Sequence, residues 1–179
     1  MLKFYQPPVA RWPMMLLNPF LLLLTFLVQR GLYTNEVEGY SIQFPKGWSI
    51  VEDTKHVPAY TGAYSPKSNP TEYAEIKVVV LPGMAANELK ETMQHDIAMA
   101  RSISNDVKVE RNQPIRIGGL TGQVVQLTLT SPRLGLIRLL NYGFAKNNRL
   151  YFIHCFGNQA YFQHSIQEVQ QACSSFRIK

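Results

Sequence analysis

Histidine, aspartate and cysteine are the side chains of this sequence best suited to chemistry, and their spacing decides what chemistry that could be. His56, His95, His154 and His164 fall at neither H-x-x-x-H nor Cys-x-x-Cys spacing, the patterns by which imidazole and thiolate ligands enclose a metal ion. Asp53, Asp96 and Asp106 are accompanied by no G-x-S-x-G, phosphate-loop or paired-carboxylate pattern. His95 and Asp96 are neighbours in a segment of helical period, where consecutive side chains diverge by about 100°, which argues against a relay between them. Gly118-Gly119 lies between two strands and opens no helix, so it reads as a turn and not as a phosphate cradle. No catalytic residue, metal site or cofactor is assigned, and the chain is read as non-enzymatic.

Cys155 and Cys173 could pair in an oxidising compartment. Cys155 ends a strand, and Cys173 ends the helix that runs back along it. Their Cα atoms are therefore expected on the order of 20 Å apart, against a ceiling of roughly 7 Å for a disulfide. Both are read as free thiols packed as small apolar side chains. What remains is recognition by surface. Tyr60, Tyr64 and Tyr73 lie in or near a proline-rich loop, and tyrosine is favoured in contact surfaces for its large area at low entropy cost. These three are the candidate partner contacts; folding back onto the sheet is the alternative.

The elements that must position these residues follow from periodicity. Tyr40 to Phe44 alternates, Pro45-Lys-Gly47 is turn chemistry, and Trp48 to Val51 resumes in extended form, which predicts a tight opening hairpin. Residues 52 to 71 hold Pro58, Pro66, Pro70 and Gly62 and predict a long surface loop with at most a short strand at Tyr60 to Tyr64. Ala74 to Leu81 is a strand stopped by Pro82-Gly83. Leu89, Met93, Ile97 and Ala100 then share one face of a helix over Asn87 to Ile103. Strands follow at Val107 to Ile117, Gly122 to Thr130, Gly135 to Ala145 and Arg149 to Phe156, with Lys146-Asn-Asn148 as the last hairpin turn. A final helix, Tyr161 to Cys173, aligns Phe162, Ile166, Val169 and Cys173. Each helix has one apolar face, so each covers a sheet.

Composition changes near Arg30. Trp12 to Gln29 runs for 18 residues without a charge, roughly 27 Å as a helix and a marginal membrane span. Trp12, Leu16, Leu17, Phe20, Leu21, Leu22, Leu23, Leu24, Phe26, Leu27 and Val28 would face lipid, with Asn18 and Pro19 as a kink. A cleaved signal peptide is the alternative, disfavoured because Gly31 is the only small residue near its end. The reading is thus residues 1–30 as an anchor-bearing segment and 31–179 as one domain. Lys3 and Arg11 before the run place the N-terminus in the cytoplasm and the domain in the periplasm or lumen of a single-pass membrane protein. The net charge is +6; Lys3, Arg11 and Arg30 precede residue 31, which leaves 15 basic against 12 acidic residues and +3 for the domain. Those basic residues are scattered, which argues against a nucleic-acid face.

Tyr33 to Trp48, with its aromatic, Gly39-Tyr40, strand and Pro45-Lys-Gly-Trp48, resembles the opening of PsbP-like domains of the Mog1/PsbP superfamily. The aromatic strand Arg149 to Phe156, an aromatic at Tyr161 or Phe162, a helix and Ser174-Ser-Phe-Arg-Ile178 are similar to the ending of that group. The resemblance covers residues 33–179 in outline. It implies an α+β fold, an α/β/α sandwich around a central antiparallel sheet, here preceded by one transmembrane helix. It also implies a non-enzymatic accessory subunit that caps and stabilises an integral membrane protein complex, a photosynthetic reaction centre first, beside the lipid bilayer. A stand-alone ligand-binding or assembly-factor module of the periplasm is the alternative, and a deep apolar pocket would favour it.

Overall fold

Alternation of apolar and polar residues builds the sheets, and burial follows it: Ala74, Ile76, Val78 and Val80 are buried along one strand while the residues between them are half-exposed. The computed structural model describes residues 31–53, 58–66 and 74–179. Among them the order is β1 (Leu32–Asn35), β2 (Tyr40–Gln43), β3 (Ser49–Asp53), β4 (Tyr60–Tyr64), β5 (Ala74–Pro82), α1 (Leu89–Ile103), β6 (Lys108–Ile117), β7 (Leu120–Ser131), β8 (Gly135–Lys146), β9 (Arg149–Asn158), α2 (Gln159–Ser175) and β10 (Arg177–Ile178).

Seven strands form one antiparallel sheet in the order β3-β4-β5-β9-β8-β7-β6, and β1, β2 and β10 form a second, β1-β2-β10. Three hairpins of neighbouring strands make the β6 to β9 half. Two of them turn on two residues that hold positive φ, Gly118-Gly119 and Asn147-Asn148, which suits the right-handed twist of the flanking strands. On one face of the large sheet, Met93, Ile97 and Ala100 of α1 pack on Val125, Leu127, Leu129, Leu150 and Phe152. On the other face, α2 and the small sheet enclose a second core of Tyr40, Ile42, Phe144, Ile153, Phe162, Val169 and Phe176. Phe176 is its hub, with ring centroids 5.7 Å from Tyr40, 5.8 Å from Phe144 and 6.2 Å from Tyr151.

Three expectations are corrected. The fold is not an α/β/α sandwich around one central sheet behind a transmembrane helix: strand predominates, there are two sheets, and α2 shares its layer with the smaller one. The opening hairpin does not form, because Pro45-Lys-Gly47 carries the chain from the small sheet to the edge of the large one. β2 pairs with β1 and β10, and β3 with β4. The single-pass membrane placement is not upheld. No helix among the described residues is long and apolar enough to cross a membrane, since α1 and α2 each keep a polar face, and the anchor expected at 12–29 lies outside the described residues.

The cysteines overturn a fourth. Both are fully buried and free, but their Sγ atoms are 3.4 Å apart. Counting the helix alone overlooked that Cys155 already lies back from the reversal. From the reversal at the start of α2, Cys155 lies on the order of 10 Å back along its strand, and Cys173 lies roughly 21 Å back along the helix. The end of the helix thus comes to lie over the strand, with the two sulfurs in contact.

Candidate docking face

α1 covers only half of its face of the sheet. It packs on β7 and β8 and reaches Leu150 and Phe152 of β9, with Val79 and Leu81 of β5 at the margin of the same cluster; beyond β5 no described element is packed on this face. The ladders arrange this face in three rows. The middle row runs Asn141, His154, Lys77, Gly62, Val51 across β8, β9, β5, β4 and β3. One flanking row is Gly143, Phe152, Val79, Tyr60, Asp53, and the other is Leu139, Phe156, Glu75, Tyr64, Ser49. A polar row thus lies between two rows rich in aromatic and apolar side chains.

The polar row begins beneath the edge of α1. Asn141 is 4% exposed and donates from Nδ2 to Asp96 Oδ2 on α1 at 3.2 Å, while its Oδ1 has no partner among the described residues. His154 follows, stacked on Phe152 at 5.8 Å. Burial holds the Asp96 carboxyl above its ordinary range and the His154 imidazole below, each against the attraction of the other's charge. Lys77 is next. Its Nζ lies 3.1 Å from Glu75 and over the rings of Tyr60 and Tyr64, at 5.2 and 6.0 Å, a cation held between two aromatic faces. Tyr64 lies across Gly62, where an added Cβ would stand 3.1 Å from the ring. Burial, and then a hydrogen bond with Tyr60, push the Tyr64 phenol above its ordinary range.

Among the described residues the face ends at β3, the last strand of the seven. β3 is exposed along four of its five residues, with Ile50 at 45% and Val51 at 46%. Such an edge offers free backbone donors and acceptors to an added strand. On the opposite face, a cleft of about 310 Å³ is lined by Tyr33, Glu38, Tyr40, Glu52, Thr61 and Val78 among others. There Tyr40 donates to Thr61 Oγ1 at 2.8 Å, Thr61 to the Tyr33 hydroxyl at 3.3 Å, and Tyr33 to Glu52 Oε1 at 2.7 Å. Its lining mixes these hydroxyls and carboxylates with the apolar Val37, Ala59, Val78 and Val80.

Of the candidate contacts, Tyr60 and Tyr64 sit side by side on the open face, half-exposed. Tyr73 and His56 lie outside the described residues. His95 and Asp96 do not form a relay; Asp96 instead faces Asn141 and the neighbourhood of His154. The middle row itself was not anticipated. Its signal is present, because Asn141, His154 and Lys77 are each a polar residue inside an apolar stretch of its strand. No group of three or more His, Cys, Asp or Glu among the described residues is placed to hold a metal ion.

The fold is Mog1/PsbP-like, as its solved neighbours show. Cyanobacterial PsbP (CyanoP) from Synechocystis sp. PCC 6803 is similar at a TM-score of 0.62 and 11% identity, covering 83% of this chain and 92% of that one. LpqN of Mycobacterium tuberculosis, described as involved in cell envelope biogenesis, is similar at 0.60 and 9%, covering 78% and 83%. The Saccharomyces cerevisiae Ran-binding protein Mog1p is similar at 0.56 and 11%, covering 83% and 94%. No family model matches the sequence. No curated protein matches it either.

Proposed function

We propose that this chain is an accessory or assembly module that acts by docking a protein partner, not by catalysis. The observation that carries the reading is the outer part of the sheet beyond α1, with Tyr60, Tyr64 and Lys77 on its surface and β3, the last of the seven strands, at its rim. Its aromatic rings supply area, its lysine and glutamate supply orientation, and its edge supplies backbone hydrogen bonds. The three rows contain no cysteine, and their hydroxyls are Ser49 at the edge and two tyrosines, which suits contact better than nucleophilic attack. The structural neighbours carry names as different as a PsbP, a Ran-binding protein and an envelope protein, so fold alone selects no partner. The photosynthetic reaction centre implied by the sequence resemblance is one candidate for the test below.

A photo-reactive phenylalanine analogue at Val51 gives that test. In an extract of the source cells it should yield one dominant cross-linked protein, and the adduct should weaken by about tenfold when Lys77→Glu is added, a loss of roughly 1.4 kcal/mol. The same analogue at Arg116, on the far edge of the sheet, should yield none. Equal adducts from both positions would sink the proposal.

A further inference from the structure

We propose that Cys155 and Cys173 form a disulfide that ties the two layers of the molecule together. Cys155 lies on β9, the middle strand of the seven, and Cys173 lies near the end of α2. Their sulfurs are 3.4 Å apart with both side chains fully buried. A bond needs them at about 2.05 Å, a closure of little more than an ångström. The end of α2 is already held at this place, since Ser175 Oγ accepts from the Gln43 backbone N–H of β2 at 2.7 Å. The helix therefore does not have to be brought from elsewhere to make the bond.

The oxidant is a small or protein-borne disulfide. One protein thiolate attacks it, forming a mixed disulfide and expelling one thiol. The second protein thiolate then attacks the mixed bond and expels the other. Two electrons and two protons pass from the cysteine pair to the oxidant, and one S–S bond is broken for the one formed. Because neither sulfur is exposed, exchange occurs as the chain folds or while α2 is lifted from the sheet. The bond would close a loop of moderate length and restrict the unfolded chain.

The full chain, refolded with oxidised glutathione and then denatured in the presence of an alkylating agent without reductant, tests this by intact mass and by non-reducing peptide mapping. The expected product is unalkylated and two hydrogens lighter than the dithiol, with a linked peptide containing Cys155 and Cys173. Its thermal midpoint should fall by about 10 °C when reductant is added. Two alkylated cysteines, or glutathione adducts in place of the internal bond, would overturn the proposal. Should refolding fail, the chain taken as isolated is exposed to the same oxidant near its thermal midpoint, with the same two readings. In Cys173→Ala, the reductant-dependent shift in midpoint should vanish; a shift that persists would equally overturn it.

Discussion

At the scale of single residues, the buried polar groups carry the sharpest consequences. Tyr40 is buried against Phe176 and donates to Thr61, and burial pushes its phenol up to about 12 from about 10 in an unfolded chain. The folded state therefore holds this proton more tightly. The resulting stability is complete below about pH 10 and is lost as pH rises through about 12, a span worth about 2 to 3 kcal/mol. Tyr40→Phe removes the proton and the hydrogen bond together, but Thr61 keeps its bond to Tyr33. The variant should lose only about 1 kcal/mol near neutral pH and show a shallower alkaline decline, as read from urea midpoints near neutrality and at roughly pH 11. An undiminished decline would mean that this phenol is not its source. Asp96 has the opposite consequence for neutral pH. Its carboxyl is raised by burial, so it contributes stability while protonated and loses it as pH rises through the folded-state value. Asp96→Asn keeps the shape and a partner for Asn141 and should raise the urea midpoint at neutral pH but not at about pH 3. A lower neutral midpoint would show that attraction to His154 outweighs the burial of the charge.

At the scale of elements, two glycines set how closely strands and helix approach. A Cβ on Gly122 would stand 2.2 Å from the Gly143 carbonyl oxygen and 2.6 Å from Phe144, and the backbone atom cannot move without shifting the β7–β8 ladder. A Cβ on Gly143 would meet Leu89 Cδ1 at 2.7 Å and Met93 Sδ at 2.9 Å, the ends of side chains that can turn aside. Gly122→Ala should thus cost about 2 kcal/mol or more and Gly143→Ala about 1 kcal/mol, a ranking that denaturant titration checks; the reverse order would place the tight packing under α1. The same contrast between near and far explains what the sequence revealed. The hairpins from β6 to β9 were legible because each strand's partner is its neighbour and the turns are written in Gly118-Gly119 and Asn147-Asn148. Both helices were legible from their apolar stripes. The partners of β2, the β5–β9 pairing and the meeting of Cys155 with Cys173 were not, because alternation fixes which face of a strand is buried and leaves open which strand lies beside it. The docking face was half legible: Tyr60 and Tyr64 stood out by type, whereas the row of Asn141, His154 and Lys77 exists only once three strands come into register.

At the scale of the whole molecule, the two edges of the large sheet are built differently. β6 carries Pro114, a register shift between Val109 and Arg111, and the charges of Lys108, Glu110, Arg111 and Arg116, all features that blunt an edge against added strands. β3 is short and carries Glu52 and Asp53, but it also exposes Val51 on the face of the tyrosines and Ile50 on the opposite face. The docking proposed above falls on the second edge, although β6 also exposes Val109. Val51→Lys places a charge in the middle row at the rim, where no described side chain covers it, so its effect on stability should stay within about 0.5 kcal/mol. Binding should respond far more. A lysine there must be desolvated beneath any strand or side chain laid on the rim, and a loss of capture of about tenfold or more is expected, read as the amount of partner retained by the immobilised chain. Arg116→Glu on the protected edge should leave capture unchanged. If Val51→Lys retains its partner in full while the midpoint of unfolding is also unmoved, the contact lies away from β3, and the polar cleft around Tyr33, Thr61 and Glu52 becomes the surface to substitute next.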